Sequence, residues 1–545
     1  MKELNIFEKM RGIYTLVTDI RRKVFAEISK TYFGEKTIEE IEEIAYRLIQ
    51  KDSPHYRCCR YVERGIVKER VRLGLGFDTL TDTARETSLI ANAKQAKTSE
   101  KILQMPIVQV IELGCEKCPT DSVFITDLCQ KCIAHPCIIV CPRNAITMEE
   151  ERAVVNDEKC ILCGKCIQVC PYNAPVRRGR PCAQACGVDA ITTNEVGVAE
   201  IDPDKCVSCG MCIVSCPFGA IGEKSEIVQV IECIKSPDIN TYAIVAPSFV
   251  SQFGPQIKPE AIFEGILQLG FLEVIEVAYG ADIDVLLETH ELLEQVKLRN
   301  PDLSEEIDNA LEKLQEHLAS EKLQTKIREP SKRKFVGTSC CPSWVQTARN
   351  YSPKLSYNIS ESDTPMVESA IQIKEKDPDA KIVMIGPCVA KKWESLQPNV
   401  KPYVDFVITF EELAGMLRAK NIDLDEIQAK IEIKDASQLG RGFPIAGGVS
   451  ESILKQISKT MGKEFDVDKE IPVAKADTLR DCRAMLKSIE KGTADPMPLL
   501  VEGMACPFGC IGGAGTLAPL RLAKIAVARF KKDAKIQYSD ENPKI

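Results

Sequence analysis

The chain has 545 residues, 25 of them cysteine, and a formal net charge of −8. This length suits roughly two to four domains with a full hydrophobic core, and the acidic balance argues against nucleic acid as a partner. No apolar run reaches the ~18–20 residues of a membrane span, and no apolar stretch follows Arg21 and Arg22 as it would in an export signal, so the sequence predicts a cytoplasmic protein.

The residue pattern of the sequence changes twice along the chain. Residues 1–105 show apolar positions at helical spacing, as in IEEIEEIAYRLI. Residues 106–235 consist of short segments rich in proline and cysteine, and from residue 238 apolar strand-like runs alternate with amphipathic helices. We therefore predict an α+β multidomain protein with a helical N-terminal region (1–105), a cysteine-rich domain (106–235) and an α/β domain (238–545).

The cysteines of the middle region form a repeat. Two segments have the spacing CxxCxxCxxxCP of bacterial ferredoxins, a third widens one gap, and a fourth keeps only its last two cysteines. Three closely spaced thiolates suit three corners of a 4Fe–4S cube, and the fourth cysteine ligates the neighbouring cluster. In a reducing compartment this clustering favours iron–sulfur sites over a disulfide scaffold. The region is therefore predicted to be ferredoxin-like.

Counting the cysteines predicts three to four accessory clusters. The three full sets supply twelve cysteines, the broken set supplies two, and Cys115 with Cys118 adds two, which is enough for four clusters of four. The crossed ferredoxin rule then predicts these groups: Cys129, Cys132, Cys137 and Cys170; Cys141, Cys160, Cys163 and Cys166; Cys186, Cys206, Cys209 and Cys212; and Cys115, Cys118, Cys182 and Cys216. The last group is the hypothesis that separates four clusters from three, because its first two members lie far upstream.

Three further cysteine loops lie in the α/β domain. They are TSCCPSW at 338–344, PCVAKKWE at 387–394 and EGMACPFGCIGGAG at 502–515. Together, and in this order, they resemble the three signature loops of the iron-only (FeFe) hydrogenases, and GADIDVLLETHE and AGGVSES extend the resemblance over most of residues 240–525. It implies a catalytic domain of two α/β lobes with a metal site in the cleft between them.

The resemblance also implies the active-site cofactor, the H-cluster. Cys341, Cys388, Cys506 and Cys510 would hold a 4Fe–4S cube, and Cys510 would bridge it to a diiron unit carrying CO, CN and a dithiolate amine (azadithiolate). The residue types suit this cofactor. A cyanide ligand needs hydrogen-bond donors such as a lysine ammonium, and a methionine thioether is a soft, apolar neighbour for the cluster. The expected cofactor-binding residues are Pro247, Ser248, Lys391 and Met504.

A proton route is implied in the same way. Cys340 matches the family cysteine that passes protons to the bridging amine, and Ser360 matches the relay serine. Glu288 and Glu291 match the relay glutamates, and their i,i+3 spacing places both on one helical face. Without the resemblance, these two glutamates are interpreted as a solvated face.

Three positions depart from the common family pattern. Gly386 replaces a methionine of the second loop, Met366 replaces a glutamine that faces the cluster, and Ala514 replaces a glycine of the third loop. These departures resemble the divergent branch called group B and leave the direction and speed of turnover open.

The sequence therefore predicts a hydrogenase that interconverts protons and dihydrogen, with electrons relayed from a soluble carrier such as ferredoxin and with maturation proteins that insert the diiron unit. No dinucleotide fingerprint follows a strand. The alternatives are a slow-turnover hydrogen sensor, a non-catalytic iron–sulfur scaffold and an electron carrier. Cys58, Cys59, Cys233 and Cys482 receive no role.

Overall fold

A computed structural model describes residues 14–52, 56–79, 87–318, 330–464 and 470–545. Within the predicted helical N-terminal region, residues 1–13, 53–55 and 80–86 lie outside the described residues. In the described part of the chain, every helix is too short or too polar to cross a membrane.

The N-terminal region is helical, as predicted. Its first helix begins after Thr15, whose hydroxyl accepts the N–H of Thr18 at 3.3 Å as a cap. The helix packs directly on the C-terminal region, since a Cβ at Gly415 would lie 2.7 Å from the Cβ of Phe25. The helices of this region are α1 (Leu16–Tyr32), α2 (Ile44–Leu48), α3 (Arg60–Gly74) and α4 (Leu89–Ala96).

The cysteine-rich region consists of paired short strands and single-turn helices, and the helices carry cysteines. All four strand pairs are antiparallel. The pairs are β1 (Val108–Val110) with β8 (Ile221–Glu223), β2 (Ser122–Ile125) with β5 (Pro175–Arg178), β3 (Ile146–Met148) with β4 (Ala153–Val155), and β6 (Ile191–Thr193) with β7 (Ala199–Ile201). The helices are α5 (Pro136–Ile139), α6 (Lys165–Val169), α7 (Pro181–Ala185) and α8 (Met211–Ser215).

Two separate parallel sheets form the rest of the molecule. One has the order β10-β9-β12-β13 and the other the order β11-β15-β14. The apolar runs that predicted strands are buried in these sheets, as expected of parallel strands with both faces covered. The strands are β9 (Thr241–Val245), β10 (Glu273–Glu276), β11 (Val336–Gly337), β12 (Lys381–Gly386), β13 (Phe406–Thr409), β14 (Val473–Asp477) and β15 (Leu500–Met504).

Helices cover both sheets and complete two lobes, which confirms the predicted α+β class with a two-lobed α/β domain. They are α9 (Ile227–Lys235), α10 (Pro259–Gln268), α11 (Ala278–Arg299), α12 (Ser304–His317), α13 (Pro342–Tyr351), α14 (Pro365–Lys376), α15 (Ala390–Glu394), α16 (Phe410–Ala419), α17 (Gln438–Gly442), α18 (Gly448–Met461), α19 (Leu479–Glu490) and α20 (Leu520–Lys532).

A buried ion pair fastens the end of β10 to α17. Arg441 donates from Nε and Nη2 to the two carboxylate oxygens of Glu276, at 2.8 and 2.6 Å, and both side chains are almost fully buried. Because Arg441→Met leaves an uncompensated buried carboxylate, we expect it to lower the free energy of unfolding by about 3–5 kcal/mol.

Chemical denaturation would measure this loss. Lys455→Met is the matched control, since it breaks the exposed Lys455–Glu451 pair, which is worth at most about 1 kcal/mol. Equal losses in the two variants would contradict a special contribution from the buried pair.

Candidate metal centre

The three predicted cysteine loops follow the carboxyl ends of parallel strands. Cys388 follows β12, Cys506 follows β15, and Cys340 with Cys341 comes shortly after β11. Pro247 and Ser248 follow β9 in the same way. Ligand sites of parallel sheets form at the carboxyl ends of the strands. Here the loops that follow strands of both sheets line one cavity.

Close glycine contacts hold the loops together. The indole of Trp344 lies on Gly503, where a Cβ would be 2.2 Å from the ring, so the first loop packs on the strand that leads to the third. The third loop packs on the second, since Gly515 donates its N–H to Pro387 O at 2.9 Å and a Cβ at Gly513 would lie 2.4 Å from the same oxygen.

The loops enclose a cavity of about 90 Å³. Most of its wall is apolar. Every cysteine predicted to hold the active-site cube contributes to this wall, as do Cys340 and the four predicted cofactor-binding residues: Cys341, Cys388, Cys506, Cys510, Pro247, Ser248, Lys391 and Met504.

Burial disfavours the thiolate form of these cysteines. It raises the pKa of Cys341 and of Cys510, and it raises the pKa of Cys388 to about 11. Among the described residues no three side chains converge on a single metal-ion position. An iron–sulfur cube takes thiolate ligands at separate corners rather than around one ion, and four cysteines of the cavity wall can supply them.

Two polar groups of the cavity wall suit the remainder of the predicted cofactor. The Ser248 hydroxyl and the Lys391 ammonium are buried and have no hydrogen-bond partner among the described residues. Burial opposes the Lys391 charge, but Glu394, with Oε2 at 2.7 Å outside hydrogen-bond geometry, outweighs it and raises the pKa of Lys391. A buried donor without a partner is costly, so the cavity fits a group that presents an acceptor to the Ser248 hydroxyl, whereas the Lys391 ammonium already has Glu394 as an ion-pair partner.

Of the predicted proton-relay residues, Cys340 lines this cavity and Glu288 lies within electrostatic reach of Cys340. Glu288 is fully buried on α11 and accepts the N–H of Ser339 at 2.8 Å, next to Cys340. Burial raises the pKa of Glu288 well above its usual range, and the nearby carboxylate of Asp284 adds to the effect. Burial likewise raises the pKa of Cys340, so burial favours the protonated form of both groups.

Sequence reasoning missed two serines that connect this route and an arginine at its far end. The hydroxyls of Ser339 and Ser362 lie 3.0 Å apart, and Ser362 lies 2.8 Å from the hydroxyl of Ser360. At the other end, Arg333 donates from Nη2 to Glu291 at 2.7 Å, and both side chains are buried. SESD at 360–363 shows two serines in sequence, but nothing in the sequence signals that they face Ser339.

The accessory cysteines gather in separate groups. One small cavity is lined by Cys129, Cys132, Cys137 and Cys170, and another by Cys115, Cys118, Cys182 and Cys216. Thiols of the other two predicted groups also lie within electrostatic reach of one another: Cys166 with Cys160 and Cys163, and Cys186 with Cys206, Cys209 and Cys212. Cys209 also lines the central cavity beside Cys388, so the third group lies next to the predicted active-site cube.

Comparison with known proteins identifies the family. The family model of the iron-only hydrogenase large subunit, C-terminal domain, matches residues 239–514, which is half of the chain. The chain belongs to the iron-only hydrogenase family. A 4Fe–4S dicluster model matches residues 128–174, and a 4Fe–4S binding model matches residues 198–221.

Two curated relatives align with most of the chain. Iron hydrogenase 1 of Clostridium pasteurianum is 26% identical over 86% of this chain and 84% of its own length. The NADP-reducing hydrogenase subunit HndD of Solidesulfovibrio fructosivorans is 27% identical over 71% of this chain and 68% of its own. Among solved structures, a variant of [FeFe]-hydrogenase HydA1 from Chlamydomonas reinhardtii aligns at 21% identity with 59% of this chain and 92% of that chain, with a TM-score of 0.44.

At Gly386, one of the departures from the family pattern, a neighbouring side chain fills the space beside the glycine. A Cβ at Gly386 would lie 3.0 Å from the terminal carbon of Met384, which comes two positions earlier on β12 and lines the central cavity. Residues two apart share a strand face, so Met384 occupies the space beside Gly386. Met366, the second departure, also lines the cavity.

Two of the four unassigned cysteines are buried thiols. Cys482 donates to Met504 O at 3.5 Å, and Cys233 donates to Ser99 O at 3.5 Å. Burial raises the pKa of Cys233 to about 12. Both are interpreted as structural residues.

Removing Cys115 and Cys118 tests the number of clusters. The double variant Cys115→Ser/Cys118→Ser is expected to lose one four-iron cluster, because two of the four thiols around its cavity are gone. Iron and sulfide analysis of the purified protein measures the loss. Cys233→Ser, remote from all four groups, is the control, and unchanged iron in the double variant would reduce the count to three.

Proposed function

We propose that this iron-only hydrogenase catalyses the reversible reaction 2H⁺ + 2e⁻ ⇌ H₂ at an H-cluster held by Cys341, Cys388, Cys506 and Cys510. The observation that carries the proposal is the central cavity, which combines these four thiols with a fifth, Cys340, on the side where the buried carboxylates lie. A cluster ligand set alone is compatible with a scaffold, whereas a protonated thiol next to a buried carboxylic acid supports proton delivery.

The bound cofactor would supply an open iron position for hydrogen and a basic amine beside it. The protein residues would position it and handle the protons. Lys391 and Ser248 would donate to cyanide ligands, with Pro247 and Met504 forming the apolar wall. In this dry setting each donor interaction is stronger than in water.

Protons would travel between the surface and the cavity through Glu291, Ser360, Glu288 and Cys340. Burial favours the protonated forms of Glu288 and Cys340, because it raises the pKa of both. Ser339 and Ser362 extend this route with hydroxyls at hydrogen-bond distance. Arg333 holds the Glu291 carboxylate in one orientation.

Electrons would reach the active site through the accessory clusters, with the group of Cys186, Cys206, Cys209 and Cys212 last, because Cys209 reaches the central cavity. A soluble carrier such as ferredoxin would supply them in the cytoplasm. The relative HndD is named as a subunit of an NADP-reducing hydrogenase, so a partner subunit is the alternative electron source.

The test is an infrared spectrum of the protein produced with its maturation proteins, followed by dihydrogen evolution from a reduced viologen. Sharp carbonyl and cyanide bands with turnover support the proposal. Bands without appreciable turnover would favour a hydrogen sensor, for which Gly386 and Met366 are the motivating departures. No bands despite competent maturation would leave a cluster-bearing scaffold or electron carrier.

A further inference from the structure

The cysteines of one accessory group come from both sides of a long inserted segment. Cys118 and Cys182 flank residues 119–181, which contain the eight cysteines of two other predicted clusters. The chain leaves this site through β2 and returns through β5, and these two strands pair with each other. The cavity of Cys115, Cys118, Cys182 and Cys216, called the junction site here, therefore lies where the inserted segment joins the rest of the chain.

The thiols of the junction site are arranged as cluster ligands. Cys115 Sγ accepts the N–H of Ala199 at 3.4 Å, and Cys216 Sγ accepts the N–H of Ala220 at 3.3 Å. Such bonds to the sulfurs help to set the potential of an iron–sulfur cluster. The site is also close to the next group in the relay, since Cys182 lies within electrostatic reach of Cys212.

Arg180 also lines the junction site, and its guanidinium is only partly satisfied. The side chain is 4% exposed. Its Nη2 donates to Cys118 O at 3.1 Å and to Gly197 O at 2.8 Å. Its Nε and Nη1 are buried and have no hydrogen-bond partner among the described residues.

A buried guanidinium with two unsatisfied N–H groups is costly unless an anion lies beside it. An iron–sulfur cube with four thiolates is such an anion, and each electron that it accepts makes it more negative.

Two arginines of the helical N-terminal region hold the backbone around the same site. Arg57 donates from Nη2 to Gly114 O at 2.7 Å and to Phe218 O at 3.2 Å, and its other Nη pairs with Glu116. Arg70 donates to Gly219 O. Arg57 and Arg70 donate to backbone carbonyls or to a carboxylate. In contrast, Nε and Nη1 of Arg180 have no hydrogen-bond partner among the described residues at the junction site.

We propose that Arg180 is a positioning residue that raises the reduction potential of the cluster at the junction site, so that an electron rests there between the inserted pair of clusters and the catalytic lobes. The step is a one-electron transfer from a reduced 4Fe–4S cluster of the inserted segment, which is oxidised, to the junction-site cluster, which is reduced, and no bond forms or breaks. The added negative charge lies against the unpaired side of the guanidinium and is stabilised by it. The inference rests on the proposed cluster assignment and not on hydrogen turnover.

The test is a potentiometric titration followed by electron paramagnetic resonance, on the full chain carrying its iron–sulfur clusters but not matured with the diiron unit. In Arg180→Gln we expect one cluster to shift to a more negative midpoint potential, namely the cluster whose signal is absent in Cys115→Ser/Cys118→Ser. Arg180→Lys keeps the charge and should retain most of the wild-type potential. Arg177→Gln, three residues earlier on β5, makes the same charge change at an exposed residue paired with Asp121 and should leave the potential unchanged.

The proposal is overturned if Arg180→Gln shifts no cluster, or if the Arg177→Gln control shifts the same cluster by as much. If the Arg180→Gln variant loses the cluster, the Arg180→Lys variant distinguishes a role of the charge from a purely structural role. A retained cluster near the wild-type potential supports the role of the charge, and loss of the cluster in both variants shows that Arg180 only holds the local structure. Unchanged iron in the double cysteine variant would instead contradict the cluster assignment.

Discussion

Cys510→Ser is expected to abolish dihydrogen evolution, with a loss of more than about a thousandfold. Cys510 would be the one protein ligand shared by the cube and the diiron unit, so its removal takes away the bridge between them. The other thiols of the cavity wall have other predicted roles: three would hold the remaining corners of the cube, Cys209 belongs to an accessory group, and Cys340 lies near Glu288. We expect the carbonyl and cyanide infrared bands to disappear together with the activity.

The accessory clusters should survive this substitution, because their cysteines lie in separate groups. Electron paramagnetic resonance of the reduced variant would show them. Cys482→Ser is the matched control, since Cys482 is a buried cysteine that donates to Met504 O behind the same loop and has no role in the proposal. Infrared bands that persist in Cys510→Ser would contradict the assigned bridge.

Residue spacing predicted how the accessory cysteines group, whereas the four cysteines of the central cavity were predicted as a set from the resemblance to the family. Cysteines with two or three residues between them lie close together in space, and a proline after the last cysteine is typical of ferredoxins. The crossed rule then predicts long-range partners, and the structure brings Cys115 and Cys118 to Cys182 and Cys216 as that rule requires. The α+β class followed from the change of periodicity along the chain.

The residues that sequence reasoning missed act through tertiary contacts. Met384 fills the space beside Gly386 because both lie on one face of β12 next to Ala246 of another strand's end. Arg180 looks like one more basic residue in the run RRGRP, and only its burial beside four thiols distinguishes it from exposed Arg177. The spacing of residues along the sequence does not show whether one charged side chain is buried.

The N-terminal helices illustrate the same limit. Their periodicity predicts an amphipathic face but not its partner. In the structure Arg21 forms ion pairs with Glu223 of β8 and with Glu411 of α16, and all three side chains are buried. The helical region thus contacts both the cysteine-rich region and the two-lobed α/β domain, and it supplies Arg57 and Arg70 to the surroundings of the junction site.

Cys340→Ser is expected to lower dihydrogen evolution by about 100- to 10,000-fold, the range for losing a positioned proton donor. The serine hydroxyl is a much weaker acid than a thiol, so proton transfer toward the cavity slows even though the side chain is nearly the same size. The cluster ligands are untouched, since Cys341 and not Cys340 is the predicted ligand. The infrared bands and the iron content should therefore match those of the wild type.

This separation of turnover from cofactor content distinguishes a relay residue from a ligand. Glu288→Gln should give the same pattern, because the amide keeps the acceptor for the Ser339 N–H at 2.8 Å but has no carboxyl proton to pass on. Turnover is measured with a reduced viologen, which bypasses the natural electron donor, and Cys233→Ser serves as the thiol control. A Cys340→Ser enzyme that turns over at the wild-type rate would remove Cys340 from the route, whereas loss of the infrared bands would make it a residue that holds the cofactor.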